Sequence, residues 1–127
     1  MDIAKKIINA FPADADDPAI PDDFITAHPS LMEIDGQPDL LRYVPAYMLW
    51  CIRNKDNYDQ LVTDYTINAL AVYGRSGHAD NSHLNFRWRC NAGQIAAVVA
   101  FLNWCLENLS VVDDAQIKRS LKRWSLA

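Results

Sequence analysis

Residues 95–106 read IAAVVAFLNWCL, twelve residues with one polar side chain, Asn103. A surface helix carries a single apolar stripe, whereas a helix apolar on nearly every side needs neighbours around it. The run is too short to cross a bilayer, which takes roughly 20 apolar residues. It therefore reads as the central helix, 92–109, of a small, mainly α-helical domain. Asn91 and Gln94 fit a capping box at its start, the Asn amide accepting from a first-turn N–H and the Gln reaching back.

The 127 residues suit one domain, 1–127. Half the residues are apolar, with four Trp, five Tyr and four Phe, so a packed core is expected rather than disorder. Net charge is −4 but unevenly spread. Residues 1–74 hold twelve acids and five bases; residues 75–127 hold seven bases and four acids. An acidic first half argues against a nucleic-acid footprint there and favours a basic partner. Cys51, Cys90 and Cys105 are odd in number and widely spaced, which implies no disulfide framework and a reducing compartment. The N-terminal MDIAKKIINAF is too polar for a secretory signal, so a cytoplasmic location is expected, with no membrane partner.

Moving outward, Asp2 can cap a first helix whose inner face is Ile3, Ile7, Ala10 and Phe11. PADADDPAIPDD (12–23) is a loop rich in Pro and Asp, and Pro21–Phe24 can open a helical turn. Pro38 is placed like a first-turn proline for LLRYV, and Pro45 implies a break or kink at Val44 before a fresh helix, AYMLWCIRN. Asp56 or Asn57 can cap the next helix, with a face of Tyr58, Leu61, Val62, Tyr65, Ala69 and Val72 and Gly74 as its stop. The β-branched residues of LVTDYTI leave a strand open. In 74–91, a long loop or short strand, Leu84, Phe86, Trp88 and Cys90 alternate with Asn85, Arg87 and Arg89, the pattern of an extended, half-buried segment. A last helix, capped by Asp113 and Gln116, turns Ile117, Leu121 and Trp124 inward. The expected architecture is a compact bundle of about five helices.

Arg42-Tyr43-Val44-Pro45-Ala46-Tyr47-Met48-Leu49 resembles the centre of a family of small bacterial helical proteins of unknown function, with an Arg-aromatic-x-Pro-Ala-aromatic-Leu-Leu core. A second block, here Gln94, Ala96, Ala97, Val98, Phe101 and Leu102, matches the Gln-led helix of that family. The resemblance spans 24–124 and departs where the family has Thr-Pro-Glu and this chain has Asn91-Ala92-Gly93. It implies a helical fold and no catalytic residue.

Three groups of residues carry candidate chemistry. Asp14, Asp16, Asp17, Asp22 and Asp23 form an acidic cluster without the spaced ligands and glycine of a calcium loop, hence a solvated loop or a patch for a basic partner. Arg87-Trp88-Arg89 mixes cation and aromatic groups that stack on bases or anchor protein interfaces; alternation alone would give one inward-facing Trp between two solvated Arg, or Arg paired with the acidic half. His78, His83 and Cys90 are soft-metal ligand types at a spacing that matches no common zinc pattern. No nucleophile elbow, phosphate loop, HExxH or dinucleotide fingerprint occurs, so no cofactor is expected. Two readings follow. One is a non-catalytic protein-binding module, most concretely a bacterial immunity protein neutralising a basic toxin through the acidic cluster or Arg87, Trp88 and Arg89. The other is a small enzyme or metal-dependent protein using the His78, His83 and Cys90 loop.

Overall fold

The computed structural model describes residues 2–11, 20–34, 39–56, 61–75, 86–109 and 114–125. Among them are α1 (Ile3–Ala10), α2 (Asp22–Ala27), a 3-10 turn (Leu31–Glu33), α3 (Leu40–Arg53), α4 (Val62–Arg75), α5 (Phe86–Arg89), α6 (Ala92–Asn108) and α7 (Asp114–Trp124). There is no strand among the described residues. Five of these helices are eight residues or longer, and their contacts run in a circuit: α1 on α6, α6 on α7, α7 on α4, α4 on α3 and α3 on α1. The expected helical bundle is what the chain forms.

Local chemistry starts the helices where the sequence places caps. The Asp2 carboxylate accepts from the Lys5 N–H at 2.9 Å, and Ile7 and Phe11 of the expected face are buried. At α6 the capping box is complete: Gln94 N–H donates to Asn91 Oδ1 at 2.8 Å, and Asn91 N–H donates to Gln94 Oε1 at 2.9 Å. Asp39 caps α3, accepting from the Leu41 N–H at 3.1 Å, so helical residues begin at Leu40; Pro38 lies outside the described residues.

No break occurs at Val44. Leu40–Arg53 is one helix with Pro45 inside it. The proline deprives the Leu41 carbonyl of its usual helical donor, a cost of about 3 kcal/mol in a helix interior. Burial outweighs it. Val44 through Cys51 are buried without interruption, and Tyr47, Met48, Leu49 and Trp50 alone contribute about 1.5–3 kcal/mol each. The enclosed element is thus α3, covered by α1 and α4 and, on its remaining side, by α2 and the 3-10 turn. The Tyr47 hydroxyl donates to the His28 carbonyl at 2.6 Å and ties that cover down.

The apolar helix α6 packs most extensively on α1 and α7. It buries Ala97, Val98, Phe101, Leu102 and Cys105, while Ile95, Val99 and Trp104 stay half-buried and Ala92 and Ala96 are exposed. Asn103 is exposed and its amide donates to the Val99 carbonyl at 3.2 Å. Cys105 reaches across the interior to the neighbourhood of Cys51 on α3.

In α4 the helix starts at Val62, later than a cap at Asp56 or Asn57 would put it, and the strand alternative for 61–67 is overturned. The buried face is Val62, Thr66, Ala69, Leu70 and Tyr73, rotated from the expected one: Leu61 is 53% and Tyr65 38% exposed. The helix runs through Gly74 to Arg75. Gly74 is not a stop but a seat. The Trp124 indole lies on it, close enough that a Cβ there would come within 2.8 Å of the indole nitrogen. Across the bare backbone, Trp124 Nε1–H donates to the Leu70 carbonyl at 2.8 Å, in the protein interior. In α7, Ile117 and Trp124 are buried and Leu121 half-buried, as expected. Asp113 lies outside the described residues, and the Gln116 amide donates to Asn68 Oδ1 on α4 at 3.1 Å.

Gly74→Ala tests this seat. Alanine favours the helix by about 1 kcal/mol, but the displaced indole costs about 1–3 kcal/mol in overpacking and puts a hydrogen bond worth about 1 kcal/mol at risk. A lower urea midpoint is expected; an unchanged or higher one shows that the indole is not held there.

Candidate functional site

Phe86 fixes the position of the Arg-Trp-Arg segment. Its ring is fully buried and meets three others: Phe11 at the end of α1 (6.4 Å between centroids), Tyr73 of α4 (5.9 Å) and Trp124 of α7 (5.9 Å). The residues after it form a single helical turn, α5, not an extended strand. The difference reverses Trp88. In an extended segment Phe86 and Trp88 share a side; on a helix they stand about 200° apart. With Phe86 captured by the aromatic cluster, Trp88 faces outward and is 63% exposed. The inward Trp expected from alternation is therefore corrected. Arg87 is half-buried and its guanidinium points to the Trp124 carbonyl, 3.5 Å away at the negative end of α7; Arg89 is exposed.

Arg87 and Trp88 border a groove of about 500 Å³. Its floor is the half-exposed face of α6, where Ala92, Ala96 and Val99 recur at helical spacing beside Ile95; α5 supplies Arg87 and Trp88, and the end of α7 supplies Trp124 and Ser125. Cys90 lines it as well. The volume lies in the range of binding pockets, about 300–1,000 Å³. Among the described residues that line the groove there is no carboxylate. The sequence pattern held a signal for this face, since residues 92, 96 and 99 are small or branched apolar groups one helical turn apart.

The other candidates stand elsewhere. Asp22 and Asp23 open α2, and Asp22 is paired with Arg53 of α3 at 2.6 Å, an exposed pair worth at most about 1 kcal/mol. Asp14, Asp16 and Asp17 lie outside the described residues, as do His78 and His83. Arg42 is half-buried. Among the described residues no group of three or more His, Cys, Asp or Glu is placed to hold a metal ion. No helix among them is long and apolar enough to cross a membrane. The chain matches no family model, no curated protein and no solved structure.

The thiols are held protonated. Burial pushes Cys90 up from 9.0 to about 12, against the downward pull of Arg87 and Arg89. Burial likewise raises Cys51 to about 11, despite the hydroxyls of Thr63 and Thr66 beside it, and raises Cys105 further. A thiol nucleophile acts as the thiolate, so burial holds Cys90 in its less reactive protonated form at neutral pH. Tyr73 is raised from 10.0 to about 12 by the same cause.

These shifts set an alkaline limit. Each group sits higher in the folded chain than in the unfolded one, so folding favours its protonated form. That contribution is complete below pH 9 for the thiols and is lost as pH rises through about 11 for Cys51 and about 12 for Cys90 and Tyr73. The urea midpoint is expected to be insensitive to these groups near neutrality and to fall progressively above pH 9, the ordinary thiol value. Alkylation at neutral pH should be slow in the native protein and rapid for all three thiols in urea. Rapid native labelling of Cys90 contradicts this account.

Proposed function

We propose that this chain is a non-catalytic protein-binding module, most concretely a bacterial immunity protein that neutralises a basic toxin in the cytoplasm. The observation that carries the binding reading is Trp88: a large aromatic ring, 63% exposed, held at the lip of an apolar groove by a buried neighbour. Exposed Trp beside Arg is the composition of interface hot spots. Free thiols at Cys51, Cys90 and Cys105 fit a reducing compartment.

The immunity reading draws on charge. Residues 1–74 carry twelve acids against five bases, and Asp22, Asp23, Asp39, Asp56 and Asp64 are exposed. Such a field speeds association with a basic, nucleic-acid-handling toxin. The resemblance carried by Arg42–Leu49, which lie within α3, bears on the helical fold alone.

The test is co-expression with the product of the adjacent gene. A complex that survives size exclusion, with protection from that product's toxicity, is expected. Trp88→Ala should weaken it at least about tenfold, and Asp22→Lys with Asp23→Lys should slow association, most clearly at low salt. No complex and no protection overturns the proposal.

A further inference from the structure

The groove and its surroundings have a charge of their own, opposite to that of the first half of the chain. Arg87 lines it; Arg89, two residues further along α5, is exposed and stands outside the lining. On α7, Lys118 and Lys122 share a helical face with Ser125, which lines the groove, so an exposed basic stripe leads to its edge. Among the described residues of the lining there is no carboxylate. The floor is aliphatic, formed by Ile95, Ala96 and Val99, and Trp88 and Trp124 also belong to the lining.

From this juxtaposition we propose that the groove binds an acidic amphipathic segment of a partner protein, its apolar side chains on α6 and its carboxylates on Arg87, Arg89 and the Lys118–Lys122 stripe. The proposal rests on the protein-binding reading and specifies which chemistry this one surface takes. An apolar trough with a basic rim is complementary to a helix with an apolar face and acidic flanks. A nucleic acid fits less well: an aliphatic floor offers little stacking, and the net charge of −4 repels a polyanion at long range. Carboxylate pairing by Arg is directional and bidentate, and the covering of Ile95 and Val99 supplies the affinity that exposed ion pairs do not.

The experiment uses the full chain and a labelled helical peptide with Leu on one face and Glu on the other, read by fluorescence anisotropy. Saturable binding that weakens with salt is expected. Arg89→Glu and Trp88→Ala should each weaken it about tenfold or more; both side chains are exposed, so the variants should keep the wild-type melting temperature. Ala96→Glu, on the groove floor, should abolish binding. The same peptide with Lys for Glu should not bind. The proposal is overturned if the Glu and Lys peptides bind equally, if a labelled oligothymidine binds as well as the Glu peptide, if the groove fills with a second copy of the chain and size exclusion gives a dimer, or if the Glu peptide does not bind. In the last case, continued capture of the adjacent gene's product, still sensitive to Trp88→Ala, would sink the acidic-segment assignment while leaving the binding-module reading standing.

Discussion

The Trp124 indole on Gly74 is the contact on which the site end of the molecule depends. It buries the largest side chain of α7 against the backbone of α4, at a distance only glycine permits, and it satisfies its N–H on the Leu70 carbonyl. A Trp in a core is costly unless that N–H finds an acceptor. Here geometry and polarity are met together. The same ring then serves as a wall for Phe86, and its backbone carbonyl receives the Arg87 guanidinium.

From that contact the path to the surface is short. Phe86 is caught between Phe11, Tyr73 and Trp124, drawn from three different helices. One turn of helix then suffices to aim Trp88 outward and to set α5 beside α6. The turn is too short to be stable alone, since helix nucleation is unfavourable and short helices are marginal in water. Its orientation is held by the aromatic cluster, so the exposed Trp88 face is an extension of the core rather than a loop laid over it. Charge is divided as well: residues 1–74 are net acidic and residues 75–127 net basic.

Much of the helix content was legible because caps and periodicity are local. Asp2, the Asn91–Gln94 box and the Ile3–Ile7–Phe11 spacing each specify a helix start or a face from neighbouring residues alone, and the structure has them all. Other readings went another way for non-local reasons, three of them within α3 and α4. Pro45 stays inside α3 because uninterrupted burial from Val44 to Cys51 outweighs one lost helical bond. The face of α4 is turned toward Thr66, Leu70 and Tyr73 because Trp124 and Phe86 wait on that side. Gly74 continues its helix because a side chain fifty positions later occupies the space its Cβ would need.

The amino-acid order by itself determined a mainly helical chain, the helix starts at Ile3 and Ala92, the asymmetry of charge and the apolar residues that form the core. Those follow from hydrogen bonds and side-chain periodicities within a few residues. Only the tertiary structure decided that α3 is enclosed while α6 keeps an open face, and that Trp88 points away from the core. Alternation in 84–90 fits a strand and a helical turn alike, and what separates them is the capture of Phe86 by rings from α1, α4 and α7. That choice depends on contacts between residues far apart in the chain, and local sequence carries no record of which partners will be within reach.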